Sequence, residues 1–478
     1  MPTRRWLAAT FVAIALLAGA CTPATVGLRD RTSVVPASDQ ALRDDLAERT
    51  FRFFWERAHP RTGLVPDRWP TPGFASISAT GFGLTAYAIG VERGWVSRAE
   101  ARDRTLLTLR CLVGLPQGPE RTGRAGYRGF FYHFLDPDTG LRFEQVELST
   151  IDTALLVAGA LFSAGYFDRD DPAEAEIRRL AATMHERIEW RWAQNEAPLL
   201  TMGWHPERGF VPTNWTGYNE GMIVYLLALG SATHAIEPAA WEAWTRSYQV
   251  LDFHGQRYVA FAPLFGHQYS HVWVDFRGIR DAAMRRAGFD YFENSRRAAL
   301  AHRAWAIANP RRWRGLGADV WGISACDGPV DAELPVLGEL RRFWTYAGRG
   351  VGADTTIDDG TIAPTAAASS MPFVPAEATA AIRAMRASYG EHLYGQYGFL
   401  DAFNPTFLFT NVTLRHGRVV RDVGWFDTDY LGIDQGPILA MLENHRSELI
   451  WRVMRRNPTL VAGLTRAGFT GGWLDTPR

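Results

Sequence analysis

Two kinds of helical segment alternate along this chain. The first kind is amphipathic: ALRDDLAERTFRFFWERA (41–58), RAEARDRTLLTLRCLV (98–113), PAEAEIRRLAATMHERIEWRWA (172–193), DAAMRRAGFDYFENSRRAALAHRAWA (281–306) and PAEATAAIRAMRASYGEHL (375–393). Each gathers its charges on one face, as a surface helix does. The second kind is apolar on nearly every side: ISATGFGLTAYAIGV (77–91), STIDTALLVAGALFSAGYF (149–167), GMIVYLLALG (221–230) and GPILAMLENH (436–445). Such helices must be wrapped by others. Between 265 and 370 the buried members are less marked, and GHQYSHVWVDF (266–276) and IAPTAAASS (362–370) are the candidates. Outer and inner segments in strict alternation predict an all-α fold, an α/α toroid of six hairpins, each adding one buried and one exposed helix. No linker interrupts residues 40–478, so a single domain is expected. Minor β-hairpins are predicted in loops at 128–137 and 411–426, the second turning at Arg415-His416-Gly417-Arg418.

The N-terminus departs from this pattern. In MPTRRWLAATFVAIALLAGAC, Arg4 and Arg5 precede an apolar run from Trp6 to Ala20 that is too short to span a bilayer comfortably. A charged start, apolar middle and small-residue end make residues 1–20 an export signal. Ala18-Gly19-Ala20-Cys21 resembles a bacterial lipobox, with Ala18 where that pattern prefers Leu. The expectation is a lipoprotein acylated at Cys21, exported to the periplasm or outer membrane, with residues 21–39 as a flexible tether. A plain secreted protein in which Cys21 is incidental is the alternative.

Composition narrows the partners. The 51 basic residues, all Arg, balance 51 acids. No broad basic field suits nucleic acid, and membrane contact is expected only through the lipid anchor. A monomer is expected. Cys111 and Cys326 allow one bridge or two separate thiols, but no disulfide framework and no zinc spacing. The 18 Trp, 27 Phe and 15 Tyr exceed what a core needs, and flat aromatic faces also line carbohydrate clefts.

The acids fall at the starts of inner helices. Glu147 and Asp152 flank the start of 149–167, Asn219 and Glu220 that of 221–230, Asp434 that of 436–445, and Asp359 precedes IAPTAAASS. In a toroid these starts gather at one rim around one cleft. Each acid also has a structural reading: Ser149-x-x-Asp152 is capping-box-like, and Asn219 is a favoured N-cap beside which Glu220 gains from the helix dipole. That dipole favours ionised Glu220 by about 0.3–1 kcal/mol, whereas burial or a neighbouring carboxylate raises a pKa by several units. Glu220 is therefore a proton donor only if it is dry or close to another acid. His267, His271 and Asp275 recur at intervals of four. They suit a metal site, a polar ligand with Trp273 as stacking platform, or two structural histidines. Asp327 and Asp401 stand in the glycine-rich stretches WGISACDGP and YGFLDAFN, where a plain turn or a helix cap is the alternative to a functional loop.

Seven stretches in order, LSTIDTALLVAGAL, GYNEGMIVYLLALG, PLFGHQYSHVWVDFRGIRD, WGISACDGP, DGTIAPTAAASSMPF, YGFLDAFN and LGIDQGPILAMLENH, together resemble the bacterial glycoamylase-like family, which includes the endo-β-1,2-glucanases of glycoside hydrolase family 144. The likeness runs from about residue 40 to 460. It implies an α/α toroid and hydrolysis of β-1,2-glucan to sophoro-oligosaccharides with inversion at the anomeric carbon. It implies Glu220 as general acid and Asp401 as base, with Glu147, Asp152, His271, Trp273, Asp327 and Asp434 lining the substrate cleft, and no cofactor or metal. The chemistry is compatible, because glycoside hydrolysis needs one protonated and one ionised carboxyl, and inverting pairs stand about 6.5–9.5 Å apart. Other β-glucosides remain open as substrates, as do endo and exo action. The rival readings are a polysaccharide lyase using Tyr394 or His271, which the acid-rich rim disfavours, and a non-catalytic glycan-binding lipoprotein.

Overall fold

Several helices begin where a short polar side chain caps the first turn. The computed structural model describes residues 35–195, 198–353 and 356–475. The proposed export signal, Cys21 and the tether up to residue 34 lie outside the described residues. Fifteen α-helices occur among the described residues: α1 (Asp39–Arg57), α2 (Ile77–Glu92), α3 (Arg98–Gly114), α4 (Thr150–Tyr166), α5 (Pro172–Glu186), α6 (Met222–Leu229), α7 (Ala239–Arg246), α8 (Tyr269–Trp273), α9 (Ala282–Ala287), α10 (Tyr291–Ala308), α11 (Pro364–Ala368), α12 (Pro375–Tyr389), α13 (Gly432–Ser447), α14 (Leu449–Met454) and α15 (Pro458–Arg466). Ser38, Ser76, Ser97 and Ser149 accept N–H bonds at the starts of α1 to α4, which satisfies donors that a helix leaves unpaired. The fold is mostly α-helical, with short two- and three-stranded sheets between helices.

The two classes of segment separate as their patterns require. Every residue of α6 is buried, and α2, α4 and α13 are buried almost throughout. In α3 only Ala101, Thr105, Leu106, Thr108, Leu109 and Leu112 are buried, a single face. Among the inner helices α2 packs between α4 and α13, α4 reaches α6, and α13 reaches α11. Hydrogen bonds from the short α8 region join the remaining gap. Ser270 Oγ donates to the Glu220 carbonyl before α6, and Gln268 Nε2 donates to the Ala366 carbonyl in α11. Around them α1 lies on α2 and α13, α3 on α2 and α5, α5 on α4, α12 on α11, and α15 on α6. The buried apolar residues from Leu42 to Phe469 form one connected cluster.

Glycine sets the closest inner contact. A Cβ at Gly159 would lie 2.0 Å from the Gly81 carbonyl oxygen, and one at Gly81 2.5 Å from the Leu155 oxygen. The α2 and α4 backbones touch, and only the absence of side chains at these two positions allows it.

Several local expectations need correction. The segment 281–306 is two helices, because Gly288 takes a left-handed conformation (φ 84°) after α9 and Asp290 caps α10 afresh. Residues 128–137 are not one hairpin. Gly126–Tyr127 pairs with Phe130–Phe131 across Arg128 and Gly129, while Phe134–Leu135 pairs with Ala75–Ser76. The second predicted hairpin exists, but Arg418–Val420 pairs with Gly424–Phe426, so the turn falls at 421–423 with Asp422 left-handed. The hairpin of Ala332–Val336 with Glu339–Phe343 is absent from the sequence reading. Pro335 disguises it, since proline enters sheets only at edges, and in a two-stranded hairpin both strands are edges. Asn219 is not the cap of α6. Gly221 holds that position, and Asn219 Oδ1 accepts its N–H. Cys111 and Cys326 are separate thiols, one of the two outcomes expected from the sequence.

Candidate active site

The inner-helix starts do converge. A cavity of about 190 Å³ is lined by Asp152, Glu220 and Asp434, by His133, and by the aromatic side chains of Phe265, Tyr269 and Tyr346. Asp152 comes from the first turn of α4, Glu220 from just before α6, and Asp434 from the first turn of α13. A larger cavity of about 750 Å³ opens at the other ends of α4 and α6, where Asp168 and Glu186 stand among Arg178, Arg456 and Arg466. It collects no comparable set of acids, so chemistry selects the smaller one.

Glu220 holds its proton against its own helix. Burial, with the negative charge of Asp152 adding to it, pushes its carboxyl up to about 7 despite an opposing backbone hydrogen bond. Its Oε2 is shielded from solvent and takes no hydrogen bond. The helix beyond is wholly apolar, so nothing on that side solvates a carboxylate. Desolvation outweighs the dipole, as the magnitudes require.

His133 organises the wall opposite. Its Nδ1 lies 2.8 Å from Glu147 Oε1, and its Nε2 lies 3.4 Å from Asp152 Oδ2. Burial works against the imidazolium, but Asp152, Glu147 and Asp67 outweigh it and lift His133 to about 9. Glu147 is pushed up by burial, yet the His133 bond and charge hold it below its ordinary range. Asp152 also serves as cap partner. Its N–H donates to Ser149 Oγ (3.2 Å), and Ser149 Oγ donates to its carboxylate (2.5 Å). The capping and cleft readings of Asp152 therefore hold together.

Asp434 leads to a buried acid cluster. The Asp401 and Asp434 carboxyls are hydrogen-bonded to each other. Burial, then the charges of Asp434 and Asp327, raise Asp401 well above the carboxylate range, and burial raises Asp434 to about 7. Two adjacent carboxyls cannot both ionise cheaply, so the pair shares a proton and titrates as a unit. Asp401 Oδ2 accepts the Asp327 backbone N–H at 2.7 Å, and the Asp327 carboxylate pairs with Arg68 Nη1 at 2.7 Å. Asp327 and Asp401 adjoin the cavity through Asp434 and do not line it. Asp327, Asp401 and Asp427 are the group among the described residues whose ligand atoms come within 4.8 Å of one another, the spacing a metal ion needs. Arg68, the Asp327 N–H, and the N–H groups of Thr428 and Asp429 engage one oxygen of each residue, and Asp427 Oδ2 takes no hydrogen bond.

Four expected cleft residues are not in its lining: Glu147 and Asp327 stand behind wall residues, and Trp273 and His271 lie in the core. Trp273 is fully buried against Phe82, and its Nε1 donates to Thr85 Oγ1. His271 is fully buried, with Nε2 bonded to Ser295 Oγ, and burial lowers it to about 3. The helical run predicted for 266–276 breaks at Gln268, so the faces differ from those of a continuous helix. His267 bonds the Phe261 carbonyl, and Asp275 is taken by Arg277 and Arg455. The His267, His271 and Asp275 set therefore does not converge on a ligand. Tyr394, a lyase candidate, is buried and donates to Asp45. His133, Arg68, Tyr269 and Tyr346 were missed. The pairs His133 with Asp152 and Arg68 with Asp327 join distant stretches, and no local spacing signals them. The sole cue at Arg68 was its acid neighbour Asp67.

Comparison with known proteins finds similar sequences and similar structures. The Glycoamylase family model, described as "Putative glucoamylase", matches residues 212–458. The exo beta-1,2-glucooligosaccharide sophorohydrolase (non-reducing end) of Parabacteroides distasonis is 27% identical over 465 residues, 90% of this chain. That match spans only 58% of the relative's own length. A Bacteroides uniformis crystal structure, titled as a "putative glucoamylase", is 31% identical with a TM-score of 0.79, covering 92% of this chain and all of the other. The endo-beta-1,2-glucanase of Chitinophaga pinensis, solved with sophorotriose and glucose, is 27% identical with a TM-score of 0.77 and covers 92% of this chain and all of its own.

Proposed function

The chain belongs to the Glycoamylase family, and from that membership we propose that it is a glycoside hydrolase cleaving β-1,2-glucan to sophoro-oligosaccharides. The names of the Parabacteroides and Chitinophaga relatives support the substrate. The observation that carries the reading is Glu220, a carboxyl held near pKa 7 on the wall of a cavity it shares with Asp152 and Asp434. A general acid at neutral pH needs that value.

In the proposed reaction Glu220 gives its proton to the glycosidic oxygen as the bond to the anomeric carbon breaks. A water attacks that carbon from the opposite face and gives its proton to the Asp401–Asp434 pair, relayed through Asp434 on the cavity wall to Asp401 as the base. The product is inverted. The His133 imidazolium keeps Glu147 ionised for sugar hydroxyls, and the Asp152 charge helps retain the Glu220 proton. The inner helices α2, α4, α6, α8, α11 and α13 with their outer partners form the α/α toroid of this proposal, supported by their chain of contacts. Export and anchoring through Cys21 are part of the same reading, on the strength of the pattern in residues 1–21.

The test is purified protein on linear and cyclic β-1,2-glucan, laminarin and cellulose, with product sizing and the anomeric form read by NMR. Sophoro-oligosaccharides released as the inverted anomer are expected, and their sizes separate endo from exo action. No release from β-1,2-glucan refutes the substrate, and a retained anomer refutes the mechanism.

A further inference from the structure

Resting on that reading, we infer that Tyr346 is the aromatic platform of the site, a specificity-determining residue on which one glucosyl ring of the substrate stacks. Trp273, the expected platform, is enclosed in the core. Among the described residues Tyr346 is the one Phe, Trp or Tyr left largely exposed, at 62%. It is also on the cavity wall, with Asp152, Glu220 and Asp434. An aromatic ring buries about 150–250 Å² when covered, so an open one inside an acid-lined cleft is surface waiting for a ligand. A β-glucosyl ring offers a flat C–H face that can cover such a ring, and hydroxyls at its edge. The Tyr346 hydroxyl is protonated at neutral pH, as a phenol ordinarily is. It can therefore donate to such a hydroxyl.

The backbone around Tyr346 is rigid, as a platform requires. Arg349 Nη2 donates to the carbonyls of Trp344 (2.8 Å) and Thr345 (3.0 Å). Thr345 donates from N and Oγ1 to Asp331, and the Trp344 N–H donates to Asp359. Beyond Tyr346, Ala347–Gly348 pairs with Ala325–Cys326, and Arg349 Nη1 donates to the Cys326 carbonyl at 2.7 Å. The next residue is Asp327, whose N–H holds Asp401. One buried guanidinium thus ties the ring's loop to the segment that fixes the acid pair. A sugar seated on Tyr346 is held in register with those acids, and linkages that direct the next ring elsewhere lose the contact.

The experiment compares wild type, Tyr346→Ala and Tyr346→Phe on β-1,2-gluco-oligosaccharides. Tyr346→Ala is expected to raise KM at least tenfold with kcat within threefold, while Tyr346→Phe keeps KM within threefold. Unfolding midpoints should match wild type, because the side chain is largely exposed. A KM for Tyr346→Ala within twofold of wild type overturns the platform, as does a Tyr346→Phe variant as impaired as Tyr346→Ala. If wild type releases nothing from β-1,2-glucan, the substrate reading fails on its own. Electrophoresis through gels containing β-1,2-glucan, laminarin or hydroxyethylcellulose then decides the platform separately. Retardation of wild type that Tyr346→Ala loses supports it, and equal mobility of the two in every gel overturns it.

Discussion

Asp401 and Asp434 are hydrogen-bonded carboxyl to carboxyl in a place almost closed to water. The shared proton must leave before the pair can act as a base, so the acid limb of the activity profile belongs to the pair. Asp434→Asn removes the charge that, after burial, most raises Asp401. The acid limb of kcat/KM should move to lower pH. A limb that stays in place would show that the pair does not supply the base.

The alkaline limb should report Glu220. Its proton is lost around pH 7, so kcat/KM should fall above that value. Glu220→Gln should lower turnover by roughly 10²–10⁴-fold, the usual worth of a positioned acid, while binding of sophoro-oligosaccharides persists. Calorimetric titration beside a turnover assay checks both, and full turnover in the variant would remove Glu220 from the mechanism.

Stability should fall as pH rises from 5 to 9. Glu220 stands at about 7 when folded against an ordinary 4.5, so its contribution is complete below 4.5 and is lost as pH climbs through 7. His133 stands at about 9 against 6.5, so its contribution is complete below 6.5 and is lost through 9. Each amounts to about 2 kcal/mol after allowance for partial exposure. Denaturant midpoints across this range should flatten between pH 4.5 and 7 in Glu220→Gln, and between 6.5 and 9 in His133→Asn. Slopes identical to wild type would contradict the assignment.

Arg349 and Asp359 form a fully buried ion pair at 2.9 Å, and Arg349 also serves the carbonyls of Cys326, Trp344 and Thr345. Arg349→Met leaves Asp359 charged and alone, at a cost of about 3–5 kcal/mol. Lysine should not rescue it, because one ammonium cannot span four acceptors placed for a planar fork. Chemical denaturation of both variants checks this.

Gly159→Ala puts a methyl group 2.0 Å from the Gly81 carbonyl. Overpacking of this kind costs about 1–3 kcal/mol where neighbours can shift, and here the neighbour is backbone. The unfolding midpoint should drop accordingly, and activity should fall with it, since α4 carries Asp152.

The helices were legible because their burial follows local periodicity. The apolar run of α6 and the one-sided pattern of α3 each state their surroundings in fewer than twenty residues. Placing Asp152, Glu220 and Asp434 on one cavity was legible for the same reason, since acids at the starts of neighbouring inner helices must meet. The reading failed where position depended on a break or a distant partner. Trp273 and His271 share a stretch with true wall residues, but the chain interrupts its helix at Gln268 and turns them into the core.

By itself, then, the order of apolar and polar residues determined which helices are inner, which end of each carries acids, and that Glu220 would need to be dry to keep its proton. Tertiary structure alone decided that desolvation raises its carboxyl and shields its Oε2. It also set His133 between Glu147 and Asp152, joined Asp401 to Asp434, and left Tyr346 as the open ring. Protonation and exposure depend on what stands within a few ångströms, and those neighbours come from stretches of chain far apart in sequence.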